Sequence, residues 1–218
     1  IMEEGTEFVR KVQYWVLGKR GPEFERAAHH PLPHFTSCCP AWVRWCETFH
    51  PERRPHISSA KSPIGMQGPT IKTYFAKKAG LDPKTIVNVA VTPCTAKKAE
   101  IRREEMNAAG RHLGMPEMRD MDHVVTTSEL AEWAKAEGID FVSLPDEPYD
   151  NLMGAASGAG VIFGATGGVA EAVVRRVMES ESRNTLQEIA YSGVRGMEGV
   201  RAVELPVGEK TIRVGVVH

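Results

Sequence analysis

Residues 85–94 read Thr-Ile-Val-Asn-Val-Ala-Val-Thr-Pro-Cys. β-Branched and apolar residues dominate Thr85–Val91, so this stretch predicts a buried strand that Thr92-Pro93 brings to an end. Cys94 then stands at the carboxyl end of that strand, the place where open α/β sheets bind their ligands. Lys97–Met106 follows with a helical, heavily charged composition. Strand and helix in succession set the class as α/β, with mainly parallel sheets flanked by helices.

The rest of the chain keeps that alternation. Upstream, Met2, Phe8, Val9 and Val12 recur at helical spacing, with Glu4, Glu7 and Lys11 at i, i+3 and i+7. A polar, Pro-rich loop follows Gly18, and Ala41–Phe49 predicts a helix begun at Pro40 and stopped by Pro51 and Pro55. Ser58–Gly68 reads as loop, with a helix starting near Pro69. Downstream, residues 107–124 predict an exposed connection, and Thr127 or Ser128 caps a helix over Glu129–Glu137 that Gly138 ends. Asp140–Leu144 predicts a short strand. The small-residue stretch 157–168, around Val161-Ile162-Phe163, runs from strand to helix, and a helix over Val169–Val177 follows. Thr211–Val217 alternates as a strand.

Composition narrows function. Among 218 residues, 42% are hydrophobic and 25% charged, an ordinary globular balance. With 27 basic against 28 acidic residues the net charge is -1, so no strongly basic nucleic-acid surface is expected. No apolar run approaches the roughly 18 residues of a membrane span, and Glu3, Glu4 and Glu7 stand where a signal peptide would be apolar. The expectation is a cytoplasmic protein without a membrane span. The chain opens on Ile1, not Met, and so reads as a piece of something longer.

Three segments carry chemistry. In Thr36-Ser37-Cys38-Cys39-Pro40-Ala41-Trp42, two adjacent thiols precede a helix, whose positive end favours thiolate. Adjacent side chains diverge, so one thiol can bind metal while the other faces the reaction space as acid or base. In Thr92-Pro93-Cys94-Thr95-Ala96-Lys97, a thiol at a strand end has a lysine three residues on, a pairing suited to an iron–sulfur cluster and an anionic ligand. The glycines from Gly158 to Gly168 suit either a phosphate cradle or tight backbone packing. Glu4, Glu7 and Ser58 are able to relay protons, or Glu4 and Glu7 form a solvated helix face. Cys46 reads as a core residue, and His29 and His30 as solvent-facing.

In this order, TSCCPAW, TPCTAKKAE and FGATGGVAEA resemble the catalytic domain of the iron-only (FeFe) hydrogenases. IMEEGTE, SSAKSP, RDMDHVVTTSELA and VRGMEGV extend the likeness across nearly the whole chain. The resemblance implies residues 1–218 to be most of one such domain, two α/β lobes enclosing a buried cluster site, with N- and C-terminal parts lying outside the sequence. It implies an H-cluster: a 4Fe-4S cubane joined to a two-iron centre bearing CO, cyanide and a bridging dithiolate.

By that resemblance Cys39 and Cys94 ligate the cubane. Cys38 shuttles protons, fed by Glu4, Glu7 and Ser58. Lys97 donates to an iron-bound cyanide, and Ser62, Phe163 and Pro93 line the cofactor cavity. The implied reaction is reversible heterolytic hydrogen oxidation or proton reduction as part of a longer chain. The implied partner is an electron carrier such as ferredoxin, or an iron–sulfur/flavin subunit in a larger complex. The alternative is a hydrogen-sensing or iron–sulfur assembly relative without turnover, although assembly relatives generally lack the first thiol of the pair.

Three departures qualify the likeness. The family's third cysteine pair, close to its C-terminus, has no counterpart here, so a chain of this extent is expected to be inactive and empty or incompletely loaded. Thr92 stands where catalytic members usually carry Met. Lys11 replaces an Arg at what the sequence suggests is a surface position.

Overall fold

In a computed structural model the described residues are 2–150, 152–154, 158–163, 165, 167–182, 192–193 and 198–217. They fall into two units: Ile1–Cys38, Val43–Ala60 and Ala156–His218 in the first, Cys39–Trp42 and Lys61–Ala155 in the second. Residues 157, 164, 166 and 194–197, which belong to stretches singled out above, lie outside the described set.

In the first unit, the expected amphipathic helix forms over Met2–Trp15. It packs against the Gly168–Ser182 helix, with Val12, Ala172, Val173 and Val174 buried. Burial of each valine contributes about 1.5–3 kcal/mol. Gly168 follows the short Gly158–Ile162 helix so closely that a Cβ there would collide with the Ile162 carbonyl. Tight backbone packing is therefore what this glycine serves. The strand expected ahead of it is not formed, because Gly158–Ile162 closes helical bonds instead. Trp15 is tied to the next segment by its indole N–H, which donates to the Ala27 carbonyl at 2.9 Å.

The Pro40–Phe49 helix begins at the expected proline. At the chain's other end, β4 (Val200–Val207) and β5 (Lys210–Val217) form an antiparallel hairpin, with Gly208 at φ 61° in its turn. β3 (Ser192–Gly193) pairs antiparallel with β4. Along β5, Thr211 and Arg213 face out as their alternation implies.

The second unit holds the parallel pair, β1 (Val89–Thr92) beside β2 (His123–Thr126), in register from Val89↔His123 to Thr92↔Thr126. The α/β class is thus realised with one parallel pair and one antiparallel sheet among the described residues. β1 is shorter and less buried than its composition suggests. Asp82 caps a 3-10 turn over Pro83–Thr85, and only Ala90 of the strand is buried, while Val89 and Val91 remain 52% exposed.

Four expectations are corrected in this unit. Ser58–Gly68 is not loop throughout: Ser62 caps a helix over Pro63–Thr70, its Oγ accepting from Gly65 N at 3.3 Å. Pro63 at the first turn favours that start, and the helix widens into a π-helical turn, Ile71–Phe75, after Pro69 removes an N–H. Residues 107–124 are not an exposed connection, since they contain the Ala108–Leu113 helix and the fully buried Asp120.

The helix expected over Lys97–Met106 stops at Glu100. Asp140–Leu144 forms turns, with Val142 N donating to Asp140 Oδ1 at 3.2 Å and Ser143 N to Asp140 O at 3.2 Å. One cap also moves by a residue. Thr126 caps the Thr127–Ala136 helix in a capping box with Glu129. No helix among the described residues is long and apolar enough to cross a membrane.

Candidate functional site

Backbone pairing assembles a polar cluster inside the first unit. Phe35 N donates to His56 O at 3.0 Å, Ser58 N donates to Phe35 O at 2.7 Å, and the Ser37 hydroxyl bonds the Ala60 carbonyl. The segment leading into Cys38 therefore runs beside Ile57–Ala60. His34 and Ser58 are carried by these two segments to the helix face that bears Glu4, Glu7 and Lys11.

The contacts form a closed set. Ser58 Oγ donates to Glu4 Oε2 at 2.8 Å and lies 3.4 Å from Glu7 Oε2. Ser59, exposed, donates to Glu7 Oε2 from its hydroxyl at 2.6 Å and from its N–H at 3.0 Å. On the other side, Lys11 Nζ stands 2.9 Å from Glu7 Oε1 and donates to His34 Nδ1 at 3.0 Å. His34 Nε2 lies 2.9 Å from Glu4 Oε1.

Donor arithmetic assigns the imidazole. An ammonium offers protons only, so Nδ1 must accept, and the ring's proton sits on Nε2 and is donated to Glu4. Ala60 N donates to Ser58 Oγ at 3.1 Å, which leaves that hydroxyl's proton for a carboxylate. Burial pushes the Glu7 carboxyl up, but the Ser59 hydroxyl, Lys11 and the Ser59 N–H outweigh it, lowering the pKa from 4.5 to about 2. Glu7 is therefore a carboxylate at neutral pH.

The sequence pointed to Glu4, Glu7 and Ser58, and the fold brings all three together. Lys11 is a correction: it is fully buried, not at the surface, because it meets partners on two segments. A buried ammonium left without them would cost several kcal/mol. His34 and Ser59 are additions. No spacing rule singles out His34, whose partners lie 23 and 30 residues away; its position four residues before Cys38 is the available signal.

None of the four cysteines is in a disulfide. Cys38 belongs to the first unit, and Cys39 and Cys94 to the second. Cys39 is exposed and Cys94 half-buried, with Cys94 N donating to Thr92 Oγ1 at 3.4 Å. Cys46 is fully buried, its thiol directed to His50 O at 3.4 Å, as a core residue would be. His29 is exposed, whereas His30 is half-buried and places Nδ1 3.1 Å from Pro55 O.

In the second unit, Lys97 is buried and pairs with Glu100 at 2.9 Å. Ser62 is buried there too, and Pro93 is exposed. Phe163, half-buried, lies in the first unit. Among the described residues no three His, Cys, Asp or Glu side chains converge as a metal-holding group.

The profile of a family described as the iron only hydrogenase large subunit, C-terminal domain, matches residues 1–218. The chain belongs to that family. It is 42% identical over 214 residues to the periplasmic Fe hydrogenase large subunit of Nitratidesulfovibrio vulgaris, covering 98% of this chain and 49% of that subunit. It thus spans about half the length of that relative. Its likeness to the cytosolic Fe-S cluster assembly factor NAR1 of Sclerotinia sclerotiorum is 44% over 117 residues, 53% of this chain and 20% of that factor. Among solved structures, an apo FeFe-hydrogenase HydA1 variant from Chlamydomonas reinhardtii superposes with a TM-score of 0.75 at 38% identity, covering 96% of this chain and 48% of that one.

The hydrogenase family implies an iron–sulfur cluster held by thiolates, and the donor chemistry here fits it in part. A cubane takes four thiolates. Of this chain's four cysteines, Cys46 is in the core, which leaves Cys38, Cys39 and Cys94 outside it.

Proposed function

We propose that this chain is the part of an FeFe hydrogenase that carries protons to the site of hydrogen chemistry and supplies some of the thiolates that hold the cluster. The observation supporting it is the relay Glu7–Ser58–Glu4, formed inside a family member by the Met2–Trp15 helix and by Ser58 on the segment that runs beside the one leading into Cys38. The proposed reaction is reversible heterolytic oxidation of hydrogen or reduction of protons. When bound, the 4Fe-4S and two-iron H-cluster would supply the electrons and the iron at which hydrogen is split or formed. Cys39 and Cys94 would hold its cubane part, Lys97 would donate to an anionic ligand, and Ser62, Pro93 and Phe163 would line the surroundings.

The relay step follows from the bond directions. Ser59 meets solvent and touches Glu7. A proton taken up on Glu7 Oε2 passes to Ser58 Oγ as the Ser58 proton moves to Glu4 Oε2. One O–H bond forms and one breaks at each oxygen between, so Ser58 ends neutral, Glu7 returns to carboxylate and Glu4 becomes the acid. A Glu7 pKa of about 2 makes that residue a passage, not a store. Glu4 then hands the proton toward Cys38, whose thiol exchanges it with the reaction space.

The assembly-type likenesses support the alternative less well: the NAR1 match covers 53% of this chain, and the cytosolic iron-sulfur assembly component 3 of Bos taurus, which matches 91% of it, is 30% identical against 42% for the hydrogenase subunit. An electron carrier such as ferredoxin, or an iron–sulfur/flavin subunit, is the proposed partner. Membership of the family does not set the compartment, since one relative is named as periplasmic.

The test is to express the full-length protein, mature it with the two-iron cofactor and measure hydrogen evolution from a reduced dye. Turnover in the wild type, abolished in Cys38→Ser while the cluster's infrared bands persist, is the expected result. A fully loaded wild type without turnover would overturn the catalytic reading. Near-normal turnover of Cys38→Ser would overturn the shuttle.

A further inference from the structure

Resting on the relay reading above, we propose that His34 is a positioning residue of that relay, holding Glu4 so that the proton from Ser58 can land only on Oε2. The two carboxylates are bridged twice. Ser58 faces the Oε2 atoms of both, at 2.8 and 3.4 Å. Lys11 and His34 together span the Oε1 atoms of both, with Lys11 at 2.9 Å from Glu7 and His34 at 2.9 Å from Glu4. Each carboxylate thus has one oxygen engaged by the nitrogen pair and the other turned toward the hydroxyl.

What His34 adds can be seen by removing it. The terminal torsion of a glutamate is broad and two-fold, so nothing intrinsic distinguishes Oε1 from Oε2. The Nε2–H of His34 makes that distinction by occupying Oε1. The ring also stands between Lys11 and Glu4. Lys11, fully buried, spends its charge on Glu7, and a neutral donor meets Glu4. Without the ring, Lys11 loses an acceptor and its charge is drawn toward Glu4, so that a proton on Glu4 would face a cation.

The groups facing the imidazole are Glu4 Oε1, Lys11 Nζ, Glu7 Oε1 at 4.0 Å and the Phe8 ring at 5.5 Å, all from the Met2–Trp15 helix. Side-chain exposure of His34 is 4%, so water does not replace it as the partner of Glu4. The role needs a donor at the place of Nε2 and an acceptor at the place of Nδ1, which a neutral imidazole supplies in one rigid unit.

Three variants of the full-length, matured protein test this. In His34→Gln, the amide nitrogen reaches the place of Nε2 and keeps the bond to Glu4. His34→Asn keeps only an acceptor for Lys11, and His34→Leu keeps neither. Loss of alignment is expected to slow hydrogen evolution about tenfold or more in the Leu and Asn variants. The Gln variant is expected to recover to within about threefold of wild type.

Nitrogen NMR of the cofactor-free wild type gives a readout independent of turnover. It should show His34 as the neutral Nε2–H tautomer. A doubly protonated ring, or a proton on Nδ1, would overturn the assignment, and the NMR result stands even if the Leu variant fails to fold. Equal rates for all three variants beside a slow Glu4→Gln would overturn the positioning role and leave the relay intact. A Glu4→Gln protein as fast as wild type would overturn the relay, and this role with it.

Discussion

Each unit buries a polar network, and the two are wired differently. In the second unit the side chains serve the backbone. Asp120 is fully buried and accepts from Ala108 N at 2.9 Å and Ala109 N at 2.8 Å. Asn88 donates to the carbonyls of Gly68 and Asp120 at 3.1 and 2.8 Å. Lys72 meets Arg119 O at 2.9 Å and both oxygens of Asp122. In the first unit Glu4, Glu7, Lys11, His34 and Ser58 bond mainly to one another. A side chain that saturates backbone N–H and C=O groups fixes the chain's path, because those groups cannot be left unmade. A side chain bonded to another side chain leaves protons free to move between titratable oxygens and nitrogens.

If that contrast is sound, substitutions in the second network cost stability, whereas those in the first cost mainly proton transfer. The largest stability effect is expected for Asp120→Ala, which strands two backbone N–H groups and takes from the Lys61 ammonium, 3.3 Å away, its carboxylate partner. It should destabilise by about 3–5 kcal/mol in urea unfolding. A loss under about 1 kcal/mol would break the contrast from that side.

Ser58→Ala comes next. It leaves Ala60 N and one oxygen of Glu4 unmatched, so a loss of about 1–2 kcal/mol is expected, with hydrogen evolution falling far more than stability. Thr126→Ala removes half a capping box at the start of the Thr127–Ala136 helix and should cost about 1 kcal/mol.

Acid titration sharpens the role of Glu7. Its pKa is about 2 in the folded chain against an ordinary 4.5. Because the folded value is the lower one, the stability Glu7 contributes is fully present above pH 4.5 and is lost as pH falls toward 2. Between those limits the wild type should lose stability with acid more steeply than Glu7→Gln, as urea titrations at a series of pH values would read. Parallel slopes would remove the ionised Glu7 from the network.

How far the sequence discloses these networks depends on how local they are. The Met2–Trp15 helix is legible because its apolar residues repeat at 3.6, the Pro40 start because proline suits a first turn, and β5 because it alternates. The Pro63–Thr70 helix is not, since two prolines and two glycines mask any periodicity and its place is set by Gly68 lying against the Asp120 backbone. Asp140–Leu144 has a strand's composition, but the Asp140 side chain closes a turn first. The site divides in the same way. Glu4 and Glu7 share a helix face and are legible as a pair, whereas the burial of Lys11 and the part played by His34 arise only when residues 34 and 58 are folded onto that face.

The most direct measurement is the rate of hydrogen evolution by full-length, cofactor-matured Glu4→Gln. An amide cannot take the proton that Ser58 delivers. If the side-chain network carries protons, the rate should fall about a hundredfold or more while the cluster's infrared bands and the unfolding midpoint stay close to wild type. A Glu4→Gln protein that evolves hydrogen at the wild-type rate would contradict it.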